Sequence, residues 1–189
     1  AGSSEEMGDV DYSPQDKAHP PKPRSPYGVS KVASRFITKV YRESYDIFAV
    51  HGILFNHEGI RRGEEFVTRK ITKSVARIKC ALDRDESFQP LQLGNVDSIR
   101  DWSDSEDFMA GVWLMLNQET PKEYILSSNE IHTVKEFVSL AFQEAGILGL
   151  WSGEGLDEKF RINEENKILA EINEEFYRPG EVDILHGDS

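Results

Sequence analysis

Residues 23–58, PRSPYGVSKVASRFITKVYRESYDIFAVHGILFNHE, contain a helix pattern followed directly by a strand pattern. Ser25 and Pro26 are a typical N-cap and first-turn pair, and they predict a helix that runs to about Ser44. Apolar side chains recur every four residues in this helix and predict one inward-facing stripe, made by Val32, Phe36 and Val40. Residues 47–55 are a short, β-branched apolar run, which is typical of a strand buried on both faces of a parallel sheet.

The rest of the chain continues this alternation of helices and strands. Residues 9–26 contain five prolines and predict an irregular loop. Thr133, with Glu136 three residues later, predicts a capped helix that Gly146 ends. The remaining patterns predict helices over 66–82, 104–116 and 133–145, short strands at 91–93 and 124–126, and a weak helix over 164–174. Strands alternating with helices indicate an α/β fold with a largely parallel sheet.

The composition excludes several classes of partner. The 189 residues include 34 acidic and 22 basic side chains, a formal charge of −12, so the overall field does not attract nucleic acid or anionic lipid. There is no apolar run of the roughly 20 residues that span a bilayer. The single cysteine, Cys80, excludes an intrachain disulfide and is typical of a reducing compartment, so we expect a cytoplasmic protein.

The histidines are interpreted as structural rather than catalytic. No two of them have metal-ligand spacing, so we expect no metal site. His19 lies in the proline-rich loop, and we expect it to be exposed to solvent. His51 lies inside the apolar strand, and we expect a satisfied core or interface histidine.

Tyr27 and Lys31 are four residues apart at the start of the first helix and therefore share one helix face. A nearby ammonium stabilises a phenolate, and such a tyrosine can take a proton from a sugar hydroxyl while hydride leaves the carbon. The same spacing is common in ordinary surface pairs, so the pair alone does not identify an enzyme. The sequence contains no G-x-G-x-x-G turn and no P-loop.

The whole of residues 23–58 resembles the GDP-mannose 4,6-dehydratases, a family of extended short-chain dehydrogenases/reductases. Four further segments are similar to that family in the same order: GSSE at 2–5, RRGEEFVTRKI at 61–71, GN…RDW at 94–102 and YRPGEVDILHGD at 177–188. The resemblance implies a Rossmann-like doubly wound parallel sheet with a smaller α/β substrate-binding part. It also implies that residues 1–56 end the NADP-binding domain and that 57–189 form a substrate region interleaved with Rossmann elements.

The resemblance implies a role for each matching position. Ser3 would hydrogen-bond the sugar O4, and Glu5 would remove the C5 proton and then assist the loss of water from C6. Tyr27 would be the base at O4, and Lys31 would activate it and hold the nicotinamide ribose. His57 and Arg62 would lie near the NADP. Binding of the GDP-sugar would fall to five residues: Asn56, Lys70, Arg100, Arg178 and Glu181.

The implied reaction is the NADP-dependent conversion of GDP-mannose to GDP-4-keto-6-deoxy-mannose. The implied assembly is a homodimer or homotetramer in which the first helix packs against its copy, with Ile37 and Tyr41 serving the partner. Two alternatives stay open: a truncated, non-catalytic relative that binds nucleotide sugar or pairs with a complete subunit, and a related nucleotide-sugar dehydratase or epimerase.

The sequence departs from the family pattern at two loops. Gly59-Ile60 stands where the family has Ser-Pro, and Ser103-Asp104-Ser105 stands where Gly-His-Ala is expected. We also interpret the chain as a window of a longer enzyme, because the family's glycine-rich dinucleotide turn is missing. We therefore expect these 189 residues alone to bind NADP weakly and to be inactive.

Overall fold

The computed structural model describes residues 1–162, 167–177 and 182–189. The helices are α1 (Pro26–Tyr45), α2 (Val67–Asp83), α3 (Ser105–Leu116) and α4 (Val134–Glu144). The first strands are β1 (His51–Leu54), β2 (Asn56–Glu58), β3 (Leu91–Leu93), β4 (Ile99–Asp104) and β5 (Glu123–Leu126). The later strands are β6 (Ile131–Thr133), β7 (Gly149–Ser152), β8 (Lys159–Ile162), β9 (Ile168–Ile172) and β10 (Ile184–Leu185). Short 3₁₀ turns cover Ser4–Glu6, Gly155–Asp157 and Glu174–Phe176.

The chain divides into two compact units, and unit 1 comprises Ala1–Ile60, Ile99–His132 and Gly180–Ser189. In unit 1, β1 pairs in parallel with β5, and β4 pairs in parallel with β2 and β10. Strand β6 also pairs with β4. Apolar side chains from these strands, from α3 and from segments next to them form one buried core: Met7, Ile53, Leu54, Phe55, Phe108, Met115, Leu126, Val182 and Leu185. Parallel strands joined through helices confirm the predicted α/β fold class.

Unit 2 comprises Arg61–Ser98 and Thr133–Pro179. Its sheet has the order β3-β9-β8-β7, with β3 parallel to β9 and the other two pairs antiparallel. Helices α2 and α4 bury apolar residues at helical spacing, among them Ile71, Val75, Ile78, Val138 and Phe142. The Phe160 ring lies 5.4 Å from that of Phe142 and 5.3 Å from that of Trp151, measured between centroids.

Several predicted elements are confirmed by the structure. Ser25 caps α1 with Pro26 in its first turn, and Thr133 caps α4 through a reciprocal bond pair with Glu136. Gly146 follows α4 with a φ of 75°, the left-handed conformation that favours glycine. No helix in the described ranges is both long and apolar enough to cross a membrane.

Two predicted elements, over 47–55 and 164–174, are wrong in extent or type. The strand expected over 47–55 is limited to β1, and Ile47 and Phe48 before it are 47% and 46% exposed. The weak helix expected over 164–174 is wrong at 168–172, which form the strand β9. Pairing with β3 and β8 decides that conformation, because it buries Leu169, Ala170 and Ile172, which a solvated helix would have left exposed. Residues 164–166 of that prediction lie outside the described residues.

The orientation predicted for α1 is also wrong. Val32 is half-buried, but Phe36 and Val40 are 52% and 54% exposed instead of facing inward. Ile37 and Tyr41 are exposed as well, at 56% and 50%. The apolar side of α1 therefore faces away from unit 1, and its inward side is polar.

His19 is the other clear correction, because it is buried rather than exposed. Its Nε2 atom accepts a hydrogen bond from the backbone N–H of Asp11 at 3.0 Å, and its Nδ1 atom lies 2.9 Å from the carbonyl oxygen of Pro20. These bonds fold the proline-rich loop around the ring. A histidine in a loop can thus be structural when its own loop encloses it.

Candidate active site

The Ser4–Glu6 turn positions two of the predicted catalytic residues. Ser3 is its N-cap, and the Ser3 Oγ accepts a hydrogen bond from the backbone N–H of Glu5 at 3.3 Å. The Glu6 carboxylate accepts one from the backbone N–H of Ser3 at 3.0 Å, which completes a capping box. Ser3 and Glu5 are both half-buried. Because the Ser3 hydroxyl acts as an acceptor within the turn, its own proton can be donated to a ligand.

The start of α1 packs directly on this turn. A Cβ atom added to Gly28 would lie 2.6 Å from the carbonyl oxygen of Glu5, so the two backbones touch because residue 28 has no side chain. Gly28 is the one buried residue of α1. Tyr27 precedes it and Lys31 follows within one turn, so the structure brings Ser3, Glu5, Tyr27 and Lys31 together in unit 1.

The Tyr27 and Lys31 side chains occupy one face of α1. The Lys31 Nζ atom donates a hydrogen bond to the carbonyl oxygen of Ala1 at 2.9 Å and lies 5.4 Å from the centroid of the Tyr27 ring. Tyr27 is 53% exposed, and within the described residues its hydroxyl makes no hydrogen bond. The phenol is therefore accessible, with a cation beside its ring.

An ion pair continues this face and holds α1 against the sheet. The Nε and Nη2 atoms of Arg35 donate to Glu123 Oε2 at 3.1 Å and 2.8 Å, and Arg42 donates to the carbonyl oxygen of Ala49 at 3.0 Å. Burial alone would raise the pKa of Glu123, but the hydrogen bond and charge of Arg35 outweigh it and lower that pKa. Sequence reasoning missed this pair, although Tyr27, Lys31 and Arg35 recur every four residues.

A buried acid and histidine lie behind the turn. The Glu6 Oε1 atom is 2.9 Å from Nε2 of His51, and both side chains are almost completely buried. The interpretation of His51 as a satisfied core histidine is confirmed. Glu6 itself was not singled out from the sequence, and the signal that could have found it is the S-x-x-E capping-box pattern of residues 3–6.

Three other predicted site residues belong to unit 1. His57 Nδ1 lies 2.9 Å from the carbonyl oxygen of Phe55, and its ring packs 5.1 Å from that of Phe108. The Oδ1 atom of Asn56 is buried and accepts no hydrogen bond from any described residue. Arg100 donates to the carbonyl oxygens of Ile99 and Asp183, at 2.9 Å and 3.2 Å.

Two predicted site residues belong to unit 2, where each cation stacks on an aromatic ring. The guanidinium of Arg62 lies 3.5 Å from the ring centroid of Phe66, and the Lys70 ammonium lies 3.5 Å from that of Phe176. Arg178 and Glu181, predicted to bind the GDP-sugar, lie outside the described residues.

The two segments that depart from the expected family pattern, 59–60 and 103–105, lie next to each other in the structure. A Cβ atom on Gly59 would lie 2.6 Å from Oγ of Ser105, so the small residue at 59 makes room for the hydroxyl at 105. The parallel pairing of β2 with β4 brings these loops side by side, with His57 opposite Ser103 and Glu58 opposite Asp104.

Comparison with solved structures defines the class of fold. RMD from Pseudomonas aeruginosa complexed with NADPH aligns with a TM-score of 0.71 at 24% identity, over 77% of this chain and 49% of that chain. A UDP-N-acetylglucosamine 4-epimerase from Methanobrevibacter ruminantium aligns with a TM-score of 0.72 at 19% identity, over 99% and 52%. At these identities the comparison shows the fold: the Rossmann-type α/β fold of the short-chain dehydrogenase/reductase dehydratases and epimerases.

Comparison of sequences identifies the family within that class. The profile of the family described as GDP-mannose 4,6 dehydratase matches residues 1–189. The chain is 45% identical over 188 residues to a GDP-mannose 4,6 dehydratase of Dictyostelium discoideum and 43% identical over 188 residues to that of Homo sapiens. It belongs to the GDP-mannose 4,6-dehydratase family. All of the chain is matched, and it spans 51% and 49% of these two relatives.

Proposed function

We propose that the protein to which this chain belongs converts GDP-mannose to GDP-4-keto-6-deoxy-mannose with NADP as cofactor. The observation that supports this most directly is the packing of α1 on the Glu5 turn through Gly28. That contact gathers a carboxylate, a hydroxyl, a phenol and an ammonium, which is the set of groups that the reaction needs. Family membership over all 189 residues supports the same substrate.

Each side chain then has a defined proton to move or hold. Tyr27 takes the O4 proton of the sugar as C4 is oxidised, with the Lys31 ammonium beside it to stabilise the phenolate. Ser3 donates its hydroxyl proton in a hydrogen bond to O4. The resulting ketone acidifies the C5 hydrogen, which Glu5 removes as a proton. The C6 hydroxyl leaves as water with the proton from Glu5, and when C6 is reduced C5 takes the proton that Tyr27 removed from O4.

A nicotinamide cofactor would accept the hydride from C4 and return the same hydride to C6, so none is consumed overall. The residues present fit one end of such a group, because Tyr27 is accessible and Lys31 lies beside it on the same helix face. We assign the nicotinamide end to Tyr27, Lys31, His57 and Arg62. RMD is complexed with NADPH, and DesIV, a dTDP-glucose 4,6-dehydratase from Streptomyces venezuelae, binds NAD.

For the GDP-sugar we propose a polar site with cations for the diphosphate. Asn56 offers a buried amide oxygen that accepts no bond from the described residues, and a sugar or base donor would satisfy it. Arginine and lysine give a diphosphate charge-assisted hydrogen bonds. We assign Lys70, Arg100, Arg178 and Glu181 to this site together with Asn56.

We further propose that the protein is a cytoplasmic homodimer or homotetramer that assembles through α1. Its exposed apolar face supports this arrangement, because a helix that buries its polar side against its own unit leaves its apolar side to be covered. The side chains concerned are Val29, Phe36, Ile37, Val40 and Tyr41.

The test is to incubate the whole protein and NADP with GDP-mannose and to detect the dehydrated 4-keto sugar by mass spectrometry. We expect turnover of GDP-mannose and little of dTDP-glucose or UDP-N-acetylglucosamine. Turnover of one of those sugars instead would replace the substrate assignment. Binding of GDP-mannose without turnover of any of the three would favour the non-catalytic alternative.

A further inference from the structure

The buried pair of Glu6 and His51 has no part in the reaction as proposed above. Glu6 is 0% exposed and His51 is 1% exposed, with Glu6 Oε1 and His51 Nε2 2.9 Å apart. The same Oε1 atom accepts the backbone N–H of Ser3 at 3.0 Å. The same oxygen can accept from the His51 Nε2 atom in the tautomer that carries its proton there. One oxygen thus joins the catalytic turn to strand β1.

The surrounding backbone is shaped to allow this contact. A Cβ atom on Gly2 would lie 2.3 Å from His51 Nε2 and 2.5 Å from Glu6 Oε1, so only glycine leaves room for the pair. The backbone N–H of Gly2 also donates to the carbonyl oxygen of Gly52 at 2.7 Å. The turn is therefore fixed to β1 at both its start and its end.

We expect the Glu6–His51 pair to contribute little to the stability of the fold. The second carboxylate oxygen, Glu6 Oε2, is buried and receives no hydrogen bond from the described residues. Burying polar groups costs desolvation that hydrogen bonds offset only when they are complete, and replacing both partners of such a contact by apolar groups can be nearly neutral. A directional contact that adds little stability is suited to fixing a position.

We propose that Glu6 and His51 are positioning residues that hold the Ser3–Glu5 backbone where Glu5 can reach the C5 proton. The proposal rests on the proposed function for its catalytic consequence, but the local order of the turn can be measured without it. Catalysis is sensitive to such placement, because a shift of about 1 Å in a reacting group can cost about 100-fold in rate.

The decisive variant is the double replacement Glu6→Leu with His51→Leu in the whole protein. We expect it to fold with a melting temperature near that of the wild type, because an apolar pair replaces a buried polar pair that is incompletely hydrogen-bonded. We expect kcat on GDP-mannose to fall about 10- to 100-fold with KM nearly unchanged. Glu6→Gln should retain most of the activity, because its amide oxygen still accepts both hydrogen bonds.

Glu158→Ala is the matched control, since Glu158 is a buried acid of unit 2 that pairs with Lys135 at 2.6 Å. The Glu158→Ala variant should be less stable than the wild type, but its kcat per folded molecule should be unchanged. A folded double variant with wild-type kcat would overturn the proposal. If the double variant does not fold, the single variants decide. Glu6→Gln should keep its kcat and His51→Leu, which removes the contact to Glu6, should lower it, so wild-type kcat in a folded His51→Leu variant overturns the proposal.

Hydrogen exchange separates this proposal from the function on which it rests. The amides of Glu6 and Met7 donate to the carbonyl oxygens of Ser3 and Ser4, both at 3.0 Å, and report the order of the turn directly. The double variant should exchange them at least about 10-fold faster while the amides of β1 stay protected. Unchanged exchange would refute the positioning role even if the wild type proved inactive on GDP-mannose.

Discussion

Replacing Gly28 by alanine has two opposing effects on stability: a gain in helix propensity and a clash of the new Cβ atom with the backbone of Glu5. Alanine in a helix interior is favoured over glycine by about 1 kcal/mol. Here the new Cβ would lie 2.6 Å from the Glu5 carbonyl oxygen, against the 3.4 Å at which ordinary contact begins, so α1 and the turn must separate by about 0.8 Å. Pro23 lies 2.9 Å from the same position and limits movement in another direction. Overpacking of this kind costs about 1–3 kcal/mol, so we expect a net destabilisation of about 1 kcal/mol.

The separation should affect activity more than stability, because it moves Glu5 away from Tyr27. We expect kcat to fall about 10- to 100-fold, measured beside the free energy of unfolding from urea denaturation. Ala33→Gly, at an exposed position of α1, calibrates the helix preference. Gly111→Ala in α3 is the matched glycine control, since its new Cβ would meet only the flexible Leu126 side chain at 2.9 Å. A Gly28→Ala variant that is more stable than the wild type and equally active would refute the contact.

Three further predictions follow from the site. Glu5→Gln should oxidise C4 yet fail to exchange the C5 hydrogen with deuterated solvent, and deuterium uptake at the wild-type rate would exclude Glu5 as the base. Tyr27→Phe should slow oxidation at C4 itself by about 10²- to 10⁴-fold, which single-turnover measurements can follow. The pKa of Glu123 is lowered by Arg35 from an ordinary 4.5, so the pair stabilises the fold above that pH and loses its effect as the pH falls through the lower folded value. The loss of stability in Glu123→Gln, measured by urea denaturation, should therefore be largest at neutral pH and shrink in acid; a loss that is the same at both would contradict this.

Local signals in the sequence predict the helices well. Caps such as Ser25 and Thr133 act through bonds to amides two or three residues away, so the pattern contains the whole interaction. The grouping of Ser3, Glu5, Tyr27 and Lys31 in unit 1 was likewise expected from the resemblance. The structure adds how the grouping arises, through the Gly28 contact with Glu5.

Other features depend on contacts that a single sequence does not reveal. The apolar stripe of α1 predicts which residues share a face, but not whether that face is turned toward the unit or away from it, and Phe36 faces away. The strand β9 forms because β3 and β8 lie beside it, and those partners are distant in sequence. The Glu6–His51 pair joins residues 45 positions apart, so the capping-box pattern that marks Glu6 does not reveal its partner.

The polar inner face of α1 determines how precisely the helix is positioned along its axis relative to the sheet. Apolar surfaces can slide over one another at little cost, because dispersion and desolvation have no direction. The paired bonds from Arg35 to Glu123 of β5 are directional, and a displacement along the helix axis would break them. Helix α1 is therefore held at one position along its axis relative to the sheet. Tyr27 and Lys31 keep a fixed axial position on it whatever covers the outer, apolar side.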